Sequence, residues 1–362
     1  MRQKTMRRMV YALTPLLISA IYFFGWRVLA ILAVCQATGL AVEYITSRMR
    51  GQPISEANFV TCWLYSLALP ATVPYWVAAV GAAVAVLFGK EVFGGFGRNF
   101  ANPAIVGRTF VYVCFPTPLT ASFVPAFQGF PAGFAQWSFL SLDRLPDYLA
   151  DTQQSVTDAV SMASPAWVSQ TLGTEAALEA APWWDLLWGS IGGTFQRDGV
   201  TRILSAGSAG EGCAVLILLA AAYLLWTKTA NWRLMVSPVI GMALATVIFR
   251  HIFGFGEGPG AVPPLLFNLL VGTTLYVTIF MITEPVSAPK RPKAMLIYGT
   301  VIGFLVVVLR WRGVFVAAAS FSILLGNLLA PLIDEGVIAL EKRRKARAEG
   351  DESGAKEAAS EA

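Results

Sequence analysis

Asp158-Ala159-Val160-Ser161-Met162-Ala163-Ser164-Pro165 sits in the middle of the one long polar interval of this 362-residue chain. About as much hydrophobic sequence precedes it as follows it, so the chain reads as two membrane halves presenting a single external loop. The composition agrees, with 56% of residues hydrophobic and 14% charged, against about 25% charged in a soluble globule. Apolar stretches of about 15 to 23 residues recur in both halves. That is the helical signature, because a hydrocarbon core about 30 Å thick takes about 20 residues of helix and backbone polar groups must be satisfied within it. Alternation with a period of two is absent, which excludes a barrel.

Outward from the octapeptide, the candidate spans are 9–25, 26–46, 57–70, 71–89 and 102–116 before it, and 211–226, 235–253, 262–283, 294–310 and 313–333 after it. The first follows Arg2, Lys4, Arg7 and Arg8, has no convincing cleavage site, and is succeeded at once by a second span, so it reads as an uncleaved helix with a cytoplasmic start. The segments then placed inside carry Arg48, Arg50, Lys90, Arg98, Lys228, Arg233, Lys290, Arg291, Lys293 and the Lys342 to Arg347 cluster. Those placed outside hold only the scattered Arg27, Arg144, Arg197, Arg202, Arg310 and Arg312. This asymmetry fits ten spans with both termini cytoplasmic. It also accounts for the net charge of +5 by topology, without a basic patch for nucleic acid.

Five spans on each side is an odd number, so a duplicated second half would enter the membrane upside down relative to the first. The expected fold is an all-α integral membrane protein of about ten transmembrane helices, arranged as two inverted five-helix repeats with broken helices. Residues 1–116 and 211–334 form the halves, 117–210 the acidic external loop, and 335–362 a disordered cytoplasmic tail whose basic part lies near the inner lipid surface. The breaks are marked by Pro70, Pro74, Pro263 and Pro264, and by two hinges with nearby acids, Lys90-Glu91-Val92 and Thr283-Glu284-Pro285-Val286. Proline at such places either kinks a span or lets unwound backbone face a cavity.

Between Lys90 and Pro116, Gly94, Gly95 and Gly97 allow a tight turn, and Asn102-Pro103-Ala104 opens a helix with an Asn cap and proline in its first turn. A helix start facing a cavity suits a phosphate, a carboxylate or a carbonyl-rich ring, with Arg98 and Arg108 adding charge; the same residues also fit a re-entrant turn with topogenic arginines. Glu43 is the clearest carboxylate within a span, and reads either as part of a cation path or as an interface partner of Arg48. Cys35, Cys62, Cys114 and Cys213 are single and lie in apolar spans, as packing residues do. His251, the sole histidine, lacks the company a metal site needs. The glycines from Gly254 to Gly260 have the wrong spacing and setting for a dinucleotide fingerprint, so NADH is not oxidised by this chain.

The stretch from Lys90 to Pro116 closely resembles the NqrB/RnfD family, flavin-carrying membrane subunits of the sodium-translocating NADH:quinone oxidoreductase and of the Rnf complex, with Gly97-Arg98-Asn99-Phe100 nearer the NqrB side. Gly207 to Glu211, Thr283 to Ser287, Tyr298-Gly299 and Asn327 to Asp334 extend the resemblance over most of the chain. It implies an electron-transfer subunit, not catalytic alone, in a bacterial cytoplasmic membrane complex that couples electron flow towards quinone to Na+ or H+ movement. In that family a flavin transferase attaches FMN through its phosphate to a hydroxyl in a motif resembling D-x-x-S-G-A-T. The match is Asp158, Ser161, Ala163 and Ser164, with Met162 in place of Gly and Ser164 in place of Thr. Ser164 is therefore the candidate for covalent FMN. The resemblance also implies riboflavin held among the broken helices, for which Gly94, Gly95, Gly97, Arg98, Asn102, Thr283 and Glu284 are the candidates, and partner subunits around the chain. No metal site is expected. Inverted five-span repeats with broken helices are also transporter architecture, so a solute channel or carrier is the rival reading, and a flavin-less scaffold paralogue, motivated by the Thr-to-Ser change, is a third.

Overall fold

A computed structural model describes residues 3–147, 163–197, 199–313 and 317–360, with side chains as far as residue 347. Asp158, Ser161 and Met162 lie outside the described residues. The first half contains α1 (Lys4–Phe24), α2 (Arg27–Arg50), α3 (Ala57–Leu67), α4 (Tyr75–Val86) and α5 (Pro103–Cys114). The second contains α10 (Ala214–Trp226), α11 (Trp232–Thr246), α12 (Leu265–Leu270), α13 (Thr274–Phe280), α14 (Pro292–Arg312) and α15 (Ala318–Ser360). Each expected span thus contains a helix, and the eighth is broken into two. Both α4 and α11 run on into a wider π turn, at Leu87–Glu91 and Val247–Ile252. Among the described residues, Arg27–Arg50, Trp232–Ile252, Pro292–Arg312 and Ala318–Arg347 are long and apolar enough to cross a membrane.

Local chemistry sets the helix ends. The Asn102 side chain accepts the backbone N–H of Ala104 with Pro103 in the first turn, and Asn231 does the same for Arg233. Gly51 ends α2 in the left-handed region at φ 64°, after Arg48 and Arg50 in the last turn.

The two halves pack alike. In the first, α2 lies on α3 and α4, α4 on α5, and α1 and α5 on α3; in the second, α11 lies on α12 and α14, α14 on α15, and α10 and α15 on α13. The halves meet through α1 against α10 and α5 against α15. Close approach depends on glycine. A Cβ at Gly303 would fall on the Pro238 carbonyl oxygen and one at Gly299 on the Ser237 hydroxyl, so this small-xxx-small pair lets α14 touch the backbone of α11. After the third helical region of each half the chain repeats a sequence form, Pro70-Ala71-Thr72-Val73-Pro74 and Pro285-Val286-Ser287-Ala288-Pro289.

Unwound backbone leaves carbonyls that need donors. Arg27 supplies them to Ala71 and Val73, with Nη1 and Nη2 at 2.5 and 2.9 Å. At the α12–α13 break, Arg310 donates to the carbonyls of Asn268 and Val271 and to the Thr274 hydroxyl, each at 2.8 Å. These two arginines are not scattered surface charges. They hold the irregular segments together.

The chain is mostly helical, as expected, with one short antiparallel hairpin of β1 (Thr194–Arg197) and β2 (Val200–Ile203) among the described residues. Two expectations from the sequence are corrected. The described part of 117–210 is a folded cap containing α6 (Pro116–Thr120), α7 (Pro165–Leu172), α8 (Thr174–Ala180) and α9 (Trp183–Trp188). Its own apolar cluster, with Val168, Ala177, Leu186 and Phe195, packs on Phe267 and Val271 of the second half. Residues 335–360, expected to be disordered, continue α15. Strong helix formers fill the stretch, and Glu341 reaches back to Arg291 and Lys293 at 2.7 and 3.0 Å. Cys35, Cys62 and Cys213 are buried as expected, whereas Cys114 is exposed at the end of α5.

Candidate functional site

The π turn after α4 carries Lys90 and Glu91 inward, where each is 3% exposed. The Lys90 ammonium donates to Glu43 Oε1 at 2.8 Å and Ser55 Oγ at 3.0 Å, and lies 3.3 Å from Glu91 Oε1. Glu43 is further held by the Ser55 N–H at 2.9 Å and Asn58 Nδ2 at 2.5 Å, while Glu91 pairs with Arg50 and accepts from Thr46. Two carboxylates and two cations therefore form one buried, mutually neutralised network. The reading of Glu43 as partner of Arg48 is overturned: Arg48 lies over the Tyr44 ring, and Lys90 is the partner. In the sequence Lys90 has the look of a topogenic charge because it stands at the end of an oily run, and no local signal shows that the π turn rotates it inward.

The hinge after α4 and the turn after α13 meet. Asn99 Nδ2 donates to Glu284 Oε1 at 2.6 Å, and Asn102 Nδ2 to the Met281 carbonyl at 3.0 Å. Around this junction lies a small cavity of about 50 Å³ whose wall includes Lys90, Phe96, Asn99, Asn102, Thr283 and Glu284. Burial pushes the Glu284 carboxyl up to about 7, against hydrogen bonds from Ser287 and Asn99 that favour its charged form.

Of the sequence candidates, Asn102, Thr283 and Glu284 line this cavity, but the amide of Asn102 is spent on the α5 cap and Met281, and the Thr283 hydroxyl on the Ile279 carbonyl at 2.7 Å. Gly94, Gly95 and Gly97 have φ of 106, 91 and 87°, so they make the turn, and they do not form the wall. Arg98 folds back on Gly94. Asn99 and Phe96, which are not among the sequence candidates, do line the cavity. Their place just ahead of Ala101-Asn102 and among the turn glycines is the signal that could have found them.

Ser164 caps α7, accepting the Trp167 N–H at 3.4 Å, and Ala163 beside it accepts the Ser205 N–H at 3.0 Å. Ser164 is 6% exposed and lines a second, smaller cavity of about 20 Å³ with Arg108, Tyr112, Ser208, Glu211 and Thr273. Arg108 donates to the hydroxyls of Ser320 at 3.0 Å and Ser208 at 3.2 Å. Its Nε and the Oε2 of Glu211 are buried without a hydrogen-bond partner. Such orphaned polar atoms are costly in a finished core and mark a place where another polar group fits. Of the tryptophans able to shelter a planar ring, Trp167 stacks under Arg197 at 4.8 Å, Trp183 meets Phe267, and Trp184 meets Trp188. Among the described residues no group of His, Cys, Asp or Glu is placed to hold a metal.

Residues 2–341 match the family described as NQR2, RnfD, RnfE. The chain is 32% identical over 318 residues to a component of the Na(+)-translocating NADH-quinone reductase of Chromohalobacter salexigens, covering 88% of this chain and 67% of the relative. It is 31% identical over 342 residues to a component of the ion-translocating oxidoreductase complex of Shewanella amazonensis, covering 91% and 90%. A third relative, from the Na(+)-translocating NADH-quinone reductase of Azotobacter vinelandii, is 33% identical over 322 residues, or 88% and 69%.

Proposed function

The chain belongs to the NQR2, RnfD, RnfE family, and on that premise we propose that it is the flavin-carrying membrane subunit of an ion-translocating oxidoreductase complex, with FMN joined to Ser164 through a phosphoester. The observation that carries this reading is the position of Ser164: at the start of a helix and in the wall of a cavity that also holds a buried guanidinium. Helix starts favour phosphoryl groups because their N–H groups point outward and the dipole is positive there. Attachment forms a bond from Ser164 Oγ to the phosphorus of a flavin nucleotide activated as a phosphoanhydride. The anhydride P–O bond breaks, the nucleotide leaves, and the hydroxyl proton passes to the flavin transferase.

A bound flavin supplies one- and two-electron transfer; the chain supplies placement, shelter and charge. A second, noncovalent flavin such as riboflavin belongs to the same reading, beside the inner cavity, where Phe96, Phe280 and Glu284 line the wall. The matched packing of the halves and their shared Pro-x-Thr/Ser-x-Pro form support a repeated architecture, read as ten spans in two inverted repeats; the distribution of Lys and Arg supports cytoplasmic termini, and family membership supports a bacterial inner membrane and the other subunits of such a complex. Quinone and Na+ or H+ are the acceptor and the coupling ion this reading implies.

Coexpression with a flavin transferase tests the site. The denatured wild-type band should fluoresce under ultraviolet light and the Ser164→Ala band should not; a dark wild-type band, or an equally bright variant, sinks covalent flavin at Ser164. A purified protein that is colourless and conducts a small solute would favour the carrier reading instead.

A further inference from the structure

We propose that the outer cavity is a phosphoryl-anion site, and that Arg108 is the positioning residue that holds the phosphodiester at Ser164; the role of Arg108 rests on the reading of Ser164 given above. Arg108 is 1% exposed and the largest fully buried side chain among the described residues. Both of its hydrogen-bond partners, Ser208 and Ser320, are neutral, and its Nε has none. No carboxylate pairs with it at ion-pair distance among the described residues. The guanidinium lies 5.5 Å from the Tyr112 ring centroid and shares the cavity wall with Glu211, but a buried cation held by hydroxyls and a ring is expensive, and a bound anion would offset that cost.

Among the described residues, Arg108 is the one cation in the cavity wall, which Glu211 also lines. A phosphodiester carries one negative charge, whereas a phosphomonoester carries about 1.5 to 2 at neutral pH. The diester made by esterifying a hydroxyl is therefore the closer match to a single guanidinium.

Ser164 approaches the same space from the other side. Pro165 has no N–H, and the Trp167 N–H reaches Ser164 Oγ only at 3.4 Å, which leaves a poorly used donor at the start of an eight-residue helix. Ser164 and Arg108 line the same cavity, so a phosphoryl group on Ser164 would enter a space bordered by a guanidinium, whose charge-assisted, forked hydrogen bonding suits phosphate.

The test is a thermal-unfolding cycle on the full chain coexpressed with a flavin transferase, comparing wild type, Arg108→Gln and Arg108→Lys, each with and without Ser164→Ala. Flavin content is read by in-gel fluorescence. Flavinylation should raise the wild-type midpoint, the gain should vanish in Arg108→Gln, and part should return in Arg108→Lys. An equal gain in Arg108→Gln overturns the proposal. If Arg108→Gln does not fold, Arg108→Lys decides: with a single ammonium in place of the forked guanidinium it should keep only part of the gain, and a full gain overturns the proposal. A wild type without flavin refutes the reading of Ser164 alone. In that case inorganic phosphate should raise the midpoint of Ser164→Ala but not of Ser164→Ala/Arg108→Gln, and equal responses overturn the anion site.

Discussion

Replacing Lys90 by methionine should destabilise the protein by about 3 kcal/mol, the low end of the cost of breaking a buried ion pair. The ammonium lies 2.8 Å from Glu43 Oε1. At an effective dielectric of about 20 that separation is worth about 6 kcal/mol of attraction, against a desolvation penalty of several kcal/mol for each ion. Removing Lys90 strands less charge than a bare pair would, because Glu43 keeps Ser55 and Asn58, and Glu91 keeps Arg50. Glu43→Gln should cost a similar amount, since Lys90 then retains the Ser55 hydroxyl and a single carboxylate, Glu91, at 3.3 Å. The double substitution removes both charges together, so it should also cost about 3 kcal/mol and not the sum of the two, a coupling of about 3 kcal/mol. The assay is the midpoint of SDS-induced unfolding in mixed micelles, followed by tryptophan fluorescence. Strictly additive losses, or single variants indistinguishable from wild type, would refute a mutually neutralised cluster.

Three other outcomes follow from the packing. Gly303→Ala should cost about 1–3 kcal/mol in the same assay, because its methyl group falls on the Pro238 carbonyl oxygen, while Gly336→Ala, which meets nothing, should be neutral or stabilising. Arg310→Met should raise hydrogen exchange at residues 268–274, whose carbonyls at Asn268 and Val271 lose their donors, and unchanged exchange there would contradict the clamp. Glu284, in the turn beyond α13, holds its proton more tightly folded, at about 7, than at its ordinary 4.5. Its contribution is fully present below pH 4.5, falls as pH rises through about 7, and is flat above that. Glu284→Gln should flatten this segment of the stability–pH curve, and a slope that persists would assign it to another group.

The helices of the apolar stretches were legible because length and apolar composition are displayed in full by a single sequence, and four of them, among the described residues, are long and apolar enough to cross a membrane. The caps at Asn102 and Asn231 and the turn glycines 94, 95 and 97 were legible for a related reason: each needs one residue type in one local geometry. Lys90 and Arg310 were misjudged because a cation at the end of an apolar run has the same sequence appearance whether it faces water or turns inward, and only tertiary packing decides. The cap over α12 was hidden by its composition. Its apolar cluster is built largely from alanines and single large residues spaced across short helices and a hairpin, too sparse to give a periodic signal. The tail misled in the opposite direction, since a charged Ala/Glu/Lys composition serves a solvated helix as well as a disordered chain, and the bonds from Glu341 to Arg291 and Lys293 favour the helix.

The two related Pro-x-Thr/Ser-x-Pro segments separate what the fold requires from what the site adds. In the first, Leu69 precedes Pro70, and the carbonyls of Ala71 and Val73 are taken by a single arginine, Arg27. In the second, Glu284 precedes Pro285, and the donors come from the opposite half, Asn99 to the carboxylate and Asn102 to the Met281 carbonyl. A leucine at the corresponding place shows that the unwound geometry does not itself demand an acid. The carboxylate at Glu284 is therefore a local addition, placed in a cavity wall beside Lys90 and held by a residue of the other half. The chain has two such breaks, and the polar chemistry of the cavity at Glu284 is built at one of them, where the hinge of the first half meets the turn of the second.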